Sequence, residues 1–198
     1  MKALALFEEL AAVGRRIGVP PGAVAQQLIS IGWVAMEMRD FTRARASFES
    51  FLAEPVFRTP VAVATAHGNL GLLALCEGEP IAAGAHIRQS LKDGADWNHV
   101  WLIIEGLHAV AAIASAQENA HIGLQLWSAA ELIREGIGES LSVPEQIIFE
   151  RYVEPATGEL TDEARALATR EGREMSRKQA VDVALEVIDR VSGIGKDA

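Results

Sequence analysis

The chain has 198 residues, a net charge of −9 and a sequence pI near 5.1, and half of it (49%) is apolar with few aromatic rings. That length suits one domain with a sizeable core, and the acidic balance argues against direct nucleic-acid binding, which needs a basic stripe. The single cysteine, Cys76, excludes an internal disulfide framework and fits a reducing cytoplasm. No secretory leader is expected, because Lys2 is followed by only five apolar residues before Glu8 and Glu9.

In chain order, residues 2–15 read as a helix with Ala3, Phe7 and Leu10 on one face. Gly18-Val19-Pro20-Pro21-Gly22 is a turn. Helices over about 23–38 and 41–53 follow, with Arg39-Asp40 between them, and Pro55 and Pro60 bound the next break. The next pair covers about 60–76 and 80–92, split by Glu77-Gly78-Glu79-Pro80, and Asp93-Gly94-Ala95-Asp96 closes it. Asp96 is the expected cap of a third pair over about 97–116 and 120–136, ended by Gly136 and Gly138. The uncharged run Thr59–Cys76 approaches membrane-spanning length, but its Pro, Thr, His, Gly and Asn residues make it a buried helix, and no membrane span is expected.

These three pairs share a marker. Gly32, Gly71 and Ala111 stand 39 and 40 residues apart. Three residues after each is an alanine (Ala35, Ala74, Ala114), and twelve after is a small residue (Ala44, Ala83, Gly123). Sixteen after is a bulky one (Phe48, Ile87, Trp127). Small residues at fixed offsets on successive helices let two backbones pack closely, so the expectation is an all-α solenoid of antiparallel helix hairpins over residues 1–138. Ala3 stands 41 residues before Ala44, so the chain is expected to begin on the second helix of an earlier repeat, as an excised fragment would. That helix would expose an apolar edge and favour a homodimer through the N-terminal hairpin.

After Gly138 the repeat stops. Ser142-Val143-Pro144-Glu145 opens a helix to about Val153, before Glu154-Pro155. Thr161-Asp162-Glu163 opens another to about Glu171, and the capping box Ser176-Arg177-Lys178-Gln179 opens the last, to about Val191. Residues 139–198 are read as a C-terminal helical cap on the stack, within one continuous domain.

Asn69-Leu70-Gly71-Leu72-Leu73-Ala74, then Glu77-Gly78-Glu79, Ala83 and Ile87, resemble a tetratricopeptide repeat, as does Ile31-Gly32 with Ala35, Asp40-Phe41, Ala44, Phe48 and Pro55. The third copy is degenerate, and the spacing of 39–40 exceeds the usual length. The segment Leu126-Trp127-Ser128-Ala129-Ala130-Glu131-Leu132 through Glu135-Gly136-Ile137-Gly138, with Glu150-Arg151-Tyr152 and Arg170-Glu171-Gly172-Arg173, is similar to the C-terminus of large bacterial signal-transduction ATPases of the LuxR-type and related transcriptional regulators. In that family a tetratricopeptide-like sensor region follows a nucleotide-hydrolysing module. The resemblance implies a non-enzymatic, cytoplasmic sensor or interaction domain that binds a protein, peptide or small effector. The rival reading is a homo-oligomerisation scaffold.

Catalytic signatures are missing. Gly193-Ile194-Gly195-Lys196 has the wrong spacing for a phosphate-binding loop, and no HExxH, paired-cysteine zinc spacing or GxSxG occurs, so no cofactor or metal is expected. His67 and His108 come from first helices of adjacent repeats and are able to face each other across the groove, with Glu105 one turn before His108. Packing or groove-lining is the expected role, and a metal or acid/base site is the distant alternative. First helices are expected to line a concave groove. Gln26, Ile29, Trp33, Met36 and Glu37 fall there in the first copy, Thr65, Gly68, Leu72 and Cys76 in the second, and Glu105, His108, Ala112 and Ser115 in the third. An apolar floor with a few polar groups suits a partner. Packing of Trp33 and Met36 on the neighbouring hairpin stays open as the alternative, and Trp97 and Trp101 are placed at a hairpin junction.

Overall fold

The structure, a computed structural model, describes residues 9–10, 12–14, 16–19, 21–54 and 59–192. Ala3, Phe7, Pro20, Pro55 and the Gly193–Lys196 stretch lie outside them. Three helix pairs come first: α1 (Pro21–Glu37) with α2 (Phe41–Ala53), α3 (Pro60–Glu77) with α4 (Pro80–Asp96), and α5 (Val100–Ala116) with α6 (Ala120–Ile137). Then come a short α7 (Val143–Ile148), a π-helical turn (Phe149–Val153), α8 (Glu154–Gly158), α9 (Asp162–Glu174) and α10 (Arg177–Ser192). Among the described residues there is no strand, and no helix is long and apolar enough to cross a membrane.

The sequence period reappears as backbone geometry. Arg39, Gly78 and Glu118 follow the first helix of each pair in the left-handed region, at φ 59°, 94° and 59°. One residue on, the amides of Asp40, Glu79 and Asn119 donate to the carbonyls of Ala35, Ala74 and Ala114 at 2.8, 2.8 and 3.0 Å. This is the six-to-one bond of a Schellman ending, which satisfies carbonyls a helix would otherwise leave open. The same three residues accept at their carbonyls from Ala44, Ala83 and Gly123, which starts each second helix. Every bond thus begins or ends on a residue that the spacing marked.

The glycines between the paired helices explain the close approach. A Cβ on Gly32 would lie 2.5 Å from the Phe48 ring, and one on Gly71 would lie 2.4 Å from Ile87 Cδ1. Phe48, Ile87 and Trp127, the bulky markers, are all buried. Each pair then packs on the next, α2 on α3 and α4 on α5, while α1, α3 and α5 lie side by side. A large apolar core results, running from Ala35 to Ile188, with a small second cluster of Phe51, Ala62 and Ala66 between α2 and α3.

Two expected boundaries are corrected. Asp93–Asp96 does not break the chain but completes α4, and His99 rather than Asp96 precedes α5 as its N-cap. Gly94 is there for proximity: a Cβ on it would sit 2.6 Å from Leu102 Cβ, so the residue lets α4 and α5 touch. Pro155 also fails to stop its helix. The π turn before it leaves Pro155 in the first turn of α8, where a missing N–H costs little.

Beyond Gly138 the helices turn back on the stack. α9 packs on α6, with Gly172 so close that a Cβ would lie 2.1 Å from the Gln125 carbonyl oxygen. α10 packs on α4, α5 and α6. α7 touches α1, α3 and α5, so the chain returns across the first helix of all three pairs.

Candidate functional site

The face shared by α1, α3 and α5 has two halves. Near the C-terminal ends of the three helices, Glu37 and Cys76, at one repeat position, and Ser115, one residue short of it, meet or adjoin the returning segment. The Val143 amide donates to Glu37 Oε2 at 3.4 Å, and the Cys76 thiol points at the Pro144 carbonyl at 3.7 Å. The π turn supplies two further donors. Arg151 Nη1 reaches the Cys76 carbonyl at 2.9 Å and Tyr152 Oη the Leu75 carbonyl at 3.0 Å. These carbonyls end α3, where free acceptors and the negative pole of the helix favour a cation. Burial pushes the Cys76 thiol up to about 12, against the pull of Arg151, so it stays protonated and unreactive.

His108 is the centre of the covered half. It is fully buried on α5, with Nδ1 at 2.8 Å from Glu145 Oε1 and Nε2 at 3.0 Å from Glu131 Oε1. Burial is the largest single influence and favours the neutral ring. The bonds and charges of Glu131 and Glu145 outweigh it and raise the pKa, and a carboxylate at each nitrogen favours the doubly protonated ring that donates to both. Trp127 stacks on the imidazole with centroids 4.0 Å apart, and Phe149 of the π turn rests on Trp127 at 4.9 Å. Arg134 pairs with Glu131 and also donates to the Glu139 carbonyl.

Glu145 does two things at once. Its Oε2 accepts from the Ser142 amide at 2.8 Å and the Ser142 hydroxyl at 2.7 Å, completing the capping box of α7, while Oε1 holds His108. Burial opposes its charge, but His108 and Ser142 hold its pKa low. The sequence identified the Ser142–Glu145 helix start without revealing this second partner, because a local cap already accounts for the carboxylate. Glu131 was visible only as one acid within a helix. Burial alone would raise its pKa, yet the bonds to Arg134 and His108 bring it down to about 2.

Glu105 sits one turn from His108, toward the open half. Its carboxyl retains a little accessible surface although protein surrounds it, as at the bottom of a narrow opening. Burial first, then the neighbouring Glu145 charge, raises its pKa to about 8, with His108 pulling the other way. Glu37 is likewise raised, by burial and by Glu145, against the Val143 amide. Glu105 is therefore held toward its neutral form, in which it can donate a hydrogen bond.

The groove residues expected from the sequence divide between the halves. Met36, Leu72 and His108 are closed to solvent, and Met36 and Leu72 belong to the apolar core rather than to an open wall. The correction has a simple cause: Glu37, not Met36, takes the position facing α7. His67 does not face His108. Its Nδ1 lies 2.8 Å from His86 Nδ1, on the second helix of its own pair. Gln26, Thr65 and Glu105 occupy one repeat position on the three first helices, and all keep some exposure. Thr65 spends its hydroxyl on the Val61 carbonyl at 2.9 Å. Ile29 is half-buried against the core. Trp33 is 47% exposed, and Val61 and Trp101, one turn before Thr65 and Glu105, are 37% and 42% exposed. The open half is thus a row of polar groups beside the accessible Val61 and Trp101, while Trp33 stands one turn before Glu37, toward the covered half.

Among the described residues no three His, Cys, Asp or Glu side chains are grouped so as to hold a metal ion. Compared with family models, curated proteins and solved structures, the chain matches none, so the reading of the site rests on its own geometry.

Proposed function

We propose that this chain is a non-enzymatic interaction domain of the tetratricopeptide type, a solenoid of helix hairpins with a helical cap. It would serve as the cytoplasmic sensor region of a bacterial ATPase-type transcriptional regulator. The observation that carries the reading is that the first-helix face takes up a helical segment of its own chain at one end. At the other end it leaves Val61 and Trp101 accessible beside Gln26, Thr65 and Glu105, and Trp33 stays exposed between the two ends, one turn before Glu37. A face that seats one helix through capped carbonyls and a buried carboxylate suits helix-in-groove or peptide recognition. The proposed partner is a protein, peptide or small effector bound at the open half. Regulation requires it to bind better when the 142–153 segment is docked than when it is not, or the reverse.

The test is a thermal-shift screen of peptides and metabolites on the whole chain, followed by titration of any hit against variants. Trp33→Ala should weaken a true partner by about 2 kcal/mol if the ring is an anchor, while the far-ultraviolet spectrum stays the same. A partner whose affinity ignores both Trp33→Ala and Glu105→Gln binds elsewhere and removes the assignment. A second reading, self-association through the N-terminal edge, is favoured by the exposure of Leu10 (54%) and Ile17 (67%). Light scattering decides it: a strictly monomeric chain at high concentration ends that proposal.

A further inference from the structure

A second site lies away from the first-helix face, in a cavity of about 760 Å³ between α4 and α10. Its two ends are bridged. Arg88 Nε and Nη2 donate to the Asp189 carboxylate at 2.6 and 3.4 Å, and Arg177 Nη1 donates to the Asn98 amide oxygen at 2.7 Å. Arg177 and Asp189 stand twelve residues apart on α10, so the bridges are separated by about 18 Å along the helix. Between them the floor is apolar, with Ile103 and Val181 buried and Leu185 half-buried. The result is an elongated slot with a greasy base.

The rim is charged, and its charges do not all cancel. Arg88 is matched by Asp189, and Lys178 by Asp182 at 2.6 Å. Lys92 and Arg177 have no carboxylate partner among the described residues, and Asp96 is the one acid left on the rim. The slot is therefore net positive in a chain whose overall charge is −9. The neutral Asn98 amide leaves the charge of Arg177 uncompensated and part of its guanidinium fork free for a second acceptor. Bulk electrostatics would not place an anion on this protein, so anion affinity here has to come from Lys92 and Arg177 on the rim of the slot.

We infer that this slot binds a small organic anion with an elongated apolar body, of the kind represented by a medium-chain carboxylate, its head held by Lys92 and Arg177 and its chain laid along Val181 and Leu185. The volume lies in the range of small-molecule sites, and the lining joins an apolar surface to a few convergent polar groups. The site is independent of the first-helix face, so it survives or fails on its own.

Isothermal titration of the whole chain with decanoate, and with decanol as the uncharged control, tests it. Decanoate should bind more tightly than decanol. The double variant Lys92→Gln/Arg177→Gln should lose about tenfold or more in decanoate affinity and leave decanol unchanged. Leu185→Trp, which fills the slot, should weaken both, with the melting curve confirming a folded chain. No binding of decanoate, equal affinity for decanoate in the double variant, or undiminished binding after Leu185→Trp would each overturn the proposal.

Discussion

The helix pairs and the returning C-terminal helices share an apolar core, but the second region adds polar joins to it. Within the pairs the contacts are small against large: Gly32 under Phe48, Gly71 under Ile87, with three turns of one conformation. Beyond Gly138 the joins to the pairs lean on polar groups. Glu145 meets His108, Arg151 and Tyr152 cap α3, Arg88 meets Asp189 and Arg173 meets Glu135 at 2.8 Å. Apolar packing tolerates a change of volume by small shifts, whereas a buried charge that loses its partner has no substitute. The second region should therefore be the more brittle one where its contacts are buried, and the less sensitive where they are exposed.

The sharpest break is at His108. Replacing it with Ala leaves Glu131 and Glu145 facing each other's charge without their shared donor and opens a gap beside Trp127. Loss of one partner from a buried ionic network costs about 3–5 kcal/mol. A double-mutant cycle with Glu145→Gln, read by denaturant unfolding, should show a coupling of at least about 1 kcal/mol. Additive effects would mean that the bond contributes nothing beyond packing.

Gly172→Ala should be next, at about 1–3 kcal/mol, because its Cβ meets a backbone oxygen that no rotamer can move. Gly71→Ala presses chiefly on the end of the Ile87 side chain and should cost less. An equal loss at both sites would erase the distinction between a contact against backbone and one against a flexible terminus.

These two regions were unequally legible before the structure. The period of 39–40 residues located every turn of the three pairs, because close helix packing leaves a one-dimensional trace: a small residue at a fixed offset from a bulky one. It did not show that the first-helix face is half covered. His108, Glu131 and Glu145 are far apart in sequence and each has a bland local account, as a helix residue, a surface acid and a cap. Gly94 misled in the opposite direction, since a glycine needed for proximity has the same spelling as one needed for a turn. Gln26, Thr65 and Glu105 were found because they obey the period, and Glu105 lies beside the cluster that does not.

A pH series probes the same cluster with a smaller effect. His108 has a raised pKa when folded, so its contribution is complete below its ordinary value of 6.5 and is lost as pH rises through the folded value. Glu105 acts in the same direction: between 4.5 and about 8 the folded chain keeps a proton that the unfolded chain has shed. Glu131 and Glu145 act oppositely, their contribution being present above 4.5 and lost as pH falls toward their lowered values. The denaturation midpoint should therefore peak on the acid side of neutrality, near the ordinary carboxylate value of 4.5, and decline from there to about pH 8 and through the raised value of His108. Glu105→Gln should flatten the alkaline decline alone. A midpoint that climbs across that interval contradicts the assignment.

The smallest effect should have the opposite sign. Gly136 lies in the last turn of α6, outside the left-handed region, and a Cβ there would meet nothing within 4 Å. Its neighbour Gly138 also has open space but holds φ at 72°, where a side chain is strained. Gly136→Ala should stabilise the chain by about 0.5–1 kcal/mol, through the lost freedom of the unfolded backbone. Gly138→Ala should destabilise it by about 1 kcal/mol, since αL is costly for a residue with a Cβ. The pair separates two uses of glycine two residues apart, at the point where the periodic stack gives way to the returning chain. If both substitutions shift the melting temperature in the same direction, the Gly138 turn is not what ends α6, and the path from Glu139 to the Ser142 cap has to be set by the Arg134 bond to the Glu139 carbonyl instead.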